Sequence, residues 1–323
     1  MRPADVQSVA CFVPHGEAHC HGPRPRALTP RFPLLPPEPE LLRLALPKGR
    51  METGVFQLLA DAGLGVRTSS RGYRPTLPLP GFETKILKPQ SIVEMLHRGS
   101  RDLGFAGRDW VAEKGADLIE VLDTELDPVR IVAAAPRELL RNGQLPAGQW
   151  VVATEYEALT RSWLQEQDLN ADIVRSYGAT EVFPPEDADF IVDNAASGST
   201  LVANGLQIFG DLMTSSTRLY ANPQAMLHTA KRQRIEHVAL LLNSVLEARR
   251  RVMVEMNVGS EDLERVVAVL PCMREPTVSR LHHGAGYAVK SAVPRTQLPE
   301  LIPLLKLHGA SDIVVSALSQ IVA

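Results

Sequence analysis

Cysteine is scarce in this chain: three residues in 323, Cys11, Cys20 and Cys272, with no CxxC pair among them. An odd count at such spacing argues against a disulfide framework and against a zinc knuckle, and fits a reducing compartment. Aromatics are also few, at 5%, so Leu, Val, Ile and Ala must do most of the packing within a 45% hydrophobic composition. No excess of positive charge exists: 34 Lys plus Arg stand against 37 Asp plus Glu, for a formal charge of −3. That balance provides no global field for nucleic acid or an anionic membrane, so any polyanion must be met by a local cationic patch. No apolar run approaches the roughly 20 residues that span a bilayer. The N-terminal stretch lacks an apolar core followed by a cleavage site, so it does not read as a secretory signal. A cytoplasmic globular protein of two or three domains is expected from length and composition.

Ser-His-Asp order, HExxH and paired Cys/His clusters are missing as well, which argues against nucleophilic and zinc chemistry. His15, His19 and His21 with Cys20 form a short tract, but a lone tract without a second ligand pair makes a poor closed site. Residues 1–40 are Pro-rich and show neither helical nor strand periodicity, so a disordered extension is expected there.

From residue 41 onward the pattern is regular. Leu42–Leu46 reads as a strand, followed by a basic turn at Lys48-Gly49-Arg50 and a helix with Val55, Leu58 and Leu59 on one face. Residues 102–107, 129–133, 150–154, 173–174 and 190–192 read as further strands alternating with helical segments, which predicts an α/β fold with a parallel sheet. A long helix is expected from Pro223 to Arg251. Beyond it, the order βαββαβ in about 70 residues is the pattern of a ferredoxin-like domain. Within that domain a helix capped by Ser260 and another opened by Pro294 are expected. His282-His283 falls in a loop and is expected to face solvent.

Three segments carry chemistry. In the first, the apolar strand ending at Asp193 runs into Asn194-Ala195-Ala196-Ser197-Gly198-Ser199-Thr200. Small residues let the backbone approach a ligand, hydroxyls add donors, and successive N–H groups can form an anion nest. Such a loop suits a phosphate, while Asp193 can accept ribose hydroxyls. In the second, Lys48 and Arg50 flank a glycine at the carboxyl end of a strand, where open α/β sheets bind ligands; Arg reads phosphate bidentately and Lys acts as a point charge. The third is DLGFAGRD, from Asp102 to Asp109, whose glycines either admit a ligand or simply turn the chain.

Together the stretches LRLALPKGRM, DLGFAGRDW, VATEYEALTR, SYGATEV, IVDNAASGSTLVANGL, SSTRLYANP and MREPTV…LKLHGASDIVV resemble the ATP phosphoribosyltransferase family, in its long form, over residues 42–322. The resemblance implies a two-lobed, periplasmic-binding-protein-like catalytic region plus a C-terminal ferredoxin-like regulatory domain. The corresponding boundaries are residues 41–247 for the catalytic region, with lobe one at 41–131 and 218–247 and lobe two at 132–217, then 248–323. It implies transfer of phosphoribosyl from phosphoribosyl pyrophosphate to N1 of ATP, the first step of histidine biosynthesis, with Mg²⁺ as cofactor and histidine as feedback inhibitor. A homo-oligomer, dimer or hexamer, is implied too.

By position, Lys48 and Arg50 resemble the catalytic, pyrophosphate-facing cations, and Asp193, Ser197, Gly198, Ser199 and Thr200 the ribose-phosphate loop. Glu155 and Tyr156 fall near the nucleotide cleft; Glu255, Thr277 and Ala310 fall near the effector pocket. The chain departs from the family's pattern at Asn194-Ala195, where aliphatic residues are common, at Ser197 for Thr, and at Lys88 for Arg. A non-enzymatic bilobal sensor is the alternative reading. The pairing of Lys48 and Arg50 with the Asp193–Thr200 loop speaks against it, because a neutral solute would not need both.

Overall fold

The computed structural model describes residues 41–68 and 72–322. The expected extension at 1–40 and its His/Cys tract lie outside the described residues. In chain order the elements are β1 (Leu42–Pro47), α1 (Arg50–Asp61), β2 (Phe82–Leu87), α2 (Pro89–His97), β3 (Leu103–Gly107), α3 (Arg108–Glu113) and β4 (Ile119–Pro136). Then follow β5 (Gln149–Thr154), α4 (Glu157–Glu166), β6 (Asn170–Arg175), β7 (Phe190–Ala195), α5 (Ser199–Ala203) and β8 (Leu206–Ala221). The remainder is α6 (Pro223–Leu227), α7 (Thr229–Arg250), β9 (Arg251–Val258), α8 (Leu263–Val269), β10 (Thr277–Arg280), β11 (Tyr287–Pro294), α9 (Leu298–Leu307) and β12 (Ala310–Ala317).

Eight strands form one mixed sheet in the order β2-β1-β3-β8-β4-β7-β5-β6. β1 pairs in parallel with β2 and β3, and β5 in parallel with β6 and β7, so each half is a βα-wound unit. The halves are joined by the two long antiparallel strands. One end of β8 pairs with β3 through Thr217–Ala221, and β4 receives β7 on its other end, from Arg130 to Ala134. Midway, the β4–β8 register breaks between Asp123 and Leu126 and again between Leu126 and Val129. Glu125 and Asp127 there have φ of 56° and 48°, and Pro128 brings no N–H to the ladder. The ladder that joins the two halves is therefore interrupted at this stretch.

Sequence periodicity explains the faces. Val55, Leu58 and Leu59 of α1 are fully buried with Ile235, Val238 and Leu242 of α7, against Leu44, Leu46, Phe105 and Leu219 of the sheet. Ile92, Val93 and Leu96 of α2 cover the opposite face. Burying each such side chain contributes roughly 1.5–3 kcal/mol. The expected long helix is instead two. Asn222 caps α6, its side chain accepting from the N–H groups of Gln224 and Ala225, and His228 at ψ 111° separates α6 from α7.

The C-terminal unit has the expected βαββαβ order, with antiparallel sheet order β10-β11-β9-β12. Val252, Val254, Met256 and Val258 alternate inward against Val266, Leu301 and Leu305 of its helices. Two helix starts differ from expectation: α8 begins after Asp262 rather than at Ser260, and Pro294 ends β11, with α9 starting at Leu298.

Contacts at the end of α7 and at the C-terminal end of the chain join the two regions. Arg250 meets Glu125 at 2.8 Å, Arg249 meets Asp61 at 2.7 Å, and the Ile321 N–H donates to the Ser244 carbonyl at 2.9 Å. Gln320 Nε2 also donates to the Asp61 carbonyl, at 3.5 Å.

Candidate active site

β7 carries Asp193 to the carboxyl end of the sheet, and the following loop encloses a cavity of ≈280 Å³. Asp193, Asn194, Ser197, Gly198 and Thr200 line it, together with Glu181 and with Arg50 from the start of α1. Gly198 has φ 76° and initiates α5; that left-handed conformation is why a glycine stands there. Ser197 and Ser199 share a hydroxyl hydrogen bond of 2.9 Å. Gly49, at φ 87°, turns the chain between β1 and α1 so that Arg50 starts the helix rather than ending the strand. Arg50 Nη1 then donates to Asn194 Oδ1 at 3.4 Å, 144 residues away in sequence. Lys48 points elsewhere: its Nζ is 3.5 Å from the Tyr73 hydroxyl and 5.1 Å from that ring's centroid.

The electrostatics are unusual for a carboxylate. Burial pushes the Asp193 carboxyl up to about 6, and the negative charges of Glu155 and Glu181 add to the rise, against the Asn194 N–H, which donates to it at 2.7 Å. Glu155 is itself shifted up by burial, opposed by Lys88 and Arg175. It lines a second cavity of ≈370 Å³ with Trp110, Lys114, Arg161 and Arg175. Among the described residues, no three His, Cys, Asp or Glu groups converge as metal ligands.

Tyr156 is 1% exposed, so its ring forms part of the core beneath the site. It stacks on Trp110 with centroids 4.8 Å apart and donates its hydroxyl proton to Asp109 Oδ2 at 2.8 Å. Burial, then Asp109, raises the phenol well above its usual value. Asp109 also accepts from Ser215 Oγ at 2.7 Å. Ser215 and Glu181 carry no local sequence signal of their own. The glycine-rich DLGFAGRD segment drew notice for its turns, while its last residue is the one that reaches under the site.

In the C-terminal unit, Thr277, Lys290, Glu255 and Val314 sit in cross-strand register. Glu255 and Thr277 line a cavity of ≈400 Å³ on the open face of that sheet, and Lys290 bridges to Glu255 at 2.8 Å. Ala310 is 2% exposed in the unit's core, opposite Val258, and does not line that cavity.

Two βα-wound halves sharing a pair of long antiparallel strands, followed by a four-stranded βαββαβ unit, define a two-lobed, binding-protein-like α/β protein with a ferredoxin-like tail domain. Residues 88–244 match the family described as ATP phosphoribosyltransferase, and residues 248–320 match the HisG C-terminal domain. An ATP phosphoribosyltransferase of Pelotomaculum thermopropionicum is 36% identical over 286 residues, covering 87% of this chain and 99% of that protein. One from Desulforudis audaxviator is 36% identical over 287 residues, again 87% and 99%. Among solved structures, the ATP phosphoribosyl transferase (HisG:HisZ) complex from Thermotoga maritima aligns with TM-score 0.57 and 26% identity, over 64% of this chain and 99% of that one. The chain belongs to the ATP phosphoribosyltransferase family. None of its helices among the described residues is long and apolar enough to cross a membrane.

Proposed function

We propose that this chain joins phosphoribosyl pyrophosphate to N1 of ATP with release of pyrophosphate, the opening step of histidine biosynthesis, in the cleft between Arg50 and the Asp193–Thr200 loop. The observation that carries this reading is the cavity that gathers an arginine from one half and a hydroxyl-rich small-residue loop from the other. In it, Ser197, Ser199, Thr200 and the backbone at Gly198 hold the ribose 5-phosphate, and Asp193 accepts ribose hydroxyls. Arg50 faces the pyrophosphate. Lys48 joins it by leaving Tyr73, a contact of 3.5 Å that costs little to break. Glu155 lies on the nucleotide side, and Tyr156 supports the site from below.

Adenine N1 presents a free lone pair at neutral pH, so the C1–N1 bond forms as the C1–O bond to pyrophosphate breaks, without a general base. What the protein supplies is alignment of two polyanions and neutralisation of charge. Alignment alone can account for roughly 7–11 kcal/mol of barrier lowering. The residues present suit Mg²⁺, a hard cation that takes few protein carboxylates and keeps substrate oxygens and water. A bound ion would be held chiefly by substrate phosphate oxygens and water, with Asp193 and Glu181, the carboxylates that line the cavity, the protein groups nearest to it. When bound, it neutralises the leaving pyrophosphate.

Lobe one comprises 41–131 with 218–247 and lobe two 132–217, a division supported by the interrupted pairing of β4 with β8 near this boundary. Residues 248–323 form a histidine-sensing domain using Glu255 and Thr277. The chain works in the cytoplasm as a homo-oligomer, dimer or hexamer. The test combines ATP, phosphoribosyl pyrophosphate and Mg²⁺ and follows absorbance of the N1-alkylated adenine. Growth in wild type and its loss in Arg50→Ala is expected; no growth in wild type refutes the reading.

A further inference from the structure

A chain of polar side chains runs beneath the candidate site and ends on Arg50. Its root is Asp109, 3% exposed, in the first turn of α3. Both carboxylate oxygens accept: Oδ1 from Ser215 Oγ at 2.7 Å and Oδ2 from the Tyr156 hydroxyl at 2.8 Å. Ser215 Oγ accepts in turn from the Asp109 N–H at 3.1 Å, so this root is anchored at both ends. Tyr156 has one proton and gives it to Asp109, which leaves its oxygen only the role of acceptor. The next group, Asn194, therefore turns its NH₂ toward Tyr156, at 3.4 Å. The same NH₂ donates to Asp193 Oδ1 at 3.1 Å. With the nitrogen held on that side, the Asn194 carbonyl oxygen faces Arg50 Nη1 at 3.4 Å.

We infer that Asp109 is a positioning residue for phosphoribosyl transfer: through Tyr156 it adds to Asp193 Oδ1 in fixing which way the Asn194 amide points, and Asn194 thereby holds Arg50 over the phosphate loop. This rests on the reading of Arg50 as the pyrophosphate-facing cation. An amide has two faces of nearly equal shape but opposite polarity, and only its hydrogen-bond neighbours decide between them. Reversed, Asn194 would present its NH₂ to a guanidinium that has no acceptor, and the contact would become repulsive. The relay joins α3, the N-terminal cap of α4, β7 and α1, so it also bears on which side of the cleft Arg50 rests. Arg50 is exposed and long, and without such a partner it would sample many rotamers, at an entropic cost to ordering it on substrate. A buried carboxylate with two neutral hydroxyl donors has a plain structural role too, as a satisfied core group. What separates the two roles is whether its effect passes through Asn194.

The experiment is a double-mutant cycle on kcat/KM for phosphoribosyl pyrophosphate, made with Asp109→Asn and Asn194→Ala. Asn at 109 keeps the shape but can donate to Tyr156, which frees the phenol proton to reverse Asn194. Asp109→Asn is expected to lower kcat/KM by about 3- to 10-fold, mainly through KM. In the Asn194→Ala background, where no amide remains to orient, the same substitution should have no further effect. If the loss is the same in both backgrounds, Asp109 is only structural and the inference falls. Should Asp109→Asn fail to fold, Tyr156→Phe closes the same cycle, with the same two outcomes. Arg50→Ala separates this inference from the reading beneath it. Normal kinetics in that variant overturn the site itself, whereas a loss there combined with additive Asp109 and Asn194 effects overturns the relay alone.

Discussion

Replacing Asp193 with Asn should stabilise the protein above pH 6 while impairing the reaction that Asp193 is proposed to serve. Its carboxyl is raised from the usual 3.8 to about 6 by burial first and by Glu155 and Glu181 second. A raised folded-state value means that the fold disfavours the charge. The stabilising contribution of the neutral form is complete below the unfolded value and is lost as pH rises through about 6. A shift of about 2 units at ~1.4 kcal/mol each sets a ceiling near 3 kcal/mol. Partial exposure and salt screening reduce it, so about 1–2 kcal/mol is the expected gain at pH 8. Asparagine keeps an oxygen to accept the Asn194 N–H and removes only the charge. Urea unfolding at pH 4.5 and pH 8 reads the effect, with midpoints compared at unchanged slope. The variant should be the more stable at both values, with a gap at pH 4.5 of about a third of that at pH 8, while its turnover falls. An equal difference at both pH values would refute the reasoning, because the gain would then not come from the charge.

Gly198→Val should lose most turnover, because φ of 76° costs a side chain roughly 1–2 kcal/mol and a β-branched one more, whereas Gly198→Asn should retain more. The nearest atom to an added Cβ is Ile208 Cδ1 at 3.6 Å, an ordinary contact, so backbone strain rather than a clash is what activity and melting curves would report. Asp102, 3% exposed, accepts from Arg43 and Lys231. Burial alone would raise its carboxyl, but these hydrogen bonds outweigh burial and hold it below its usual value. Asp102→Asn should therefore cost about 3 kcal/mol in denaturant unfolding near neutral pH, and the difference should shrink as acid protonates Asp102 in the wild type. Histidine should change activity or substrate affinity by about 5- to 150-fold, and Glu255→Gln with Thr277→Val should weaken that response in steady-state kinetics.

The local signals were legible because they are local. Strand β1, the basic turn at 48–50, the Asp193–Thr200 loop and the βαββαβ order of the tail all follow from periodicity and turn chemistry within a few residues. The strands β2 and β8 were not read. β8 mixes Gly, Asp, Ser and Thr along 16 residues, because it serves both halves and has no single apolar face to display. The 18-residue length of β4 was hidden by Pro128 and by charged residues at its register break, and only the part from 129 onward showed a strand pattern. His228 carries no helix-breaking signal, so the interruption between α6 and α7 came from packing rather than from propensity.

The site divides in the same way. Residue types able to meet phosphate and ribose could be picked out from composition and spacing, since that chemistry belongs to the side chains themselves. Which of them share a cavity depends on contacts across more than 100 residues: Arg50 reaches Asn194 while its neighbour Lys48 rests on Tyr73. Burial is likewise a tertiary property. Tyr156 reads as a cleft residue by position and is a core residue by exposure, and Asp193 owes its raised carboxyl first to burial and then to Glu155 and Glu181 brought in from other segments. A sequence specifies the donors and acceptors that a site can use; folding alone sets their distances, their dielectric surroundings and the direction in which each proton points.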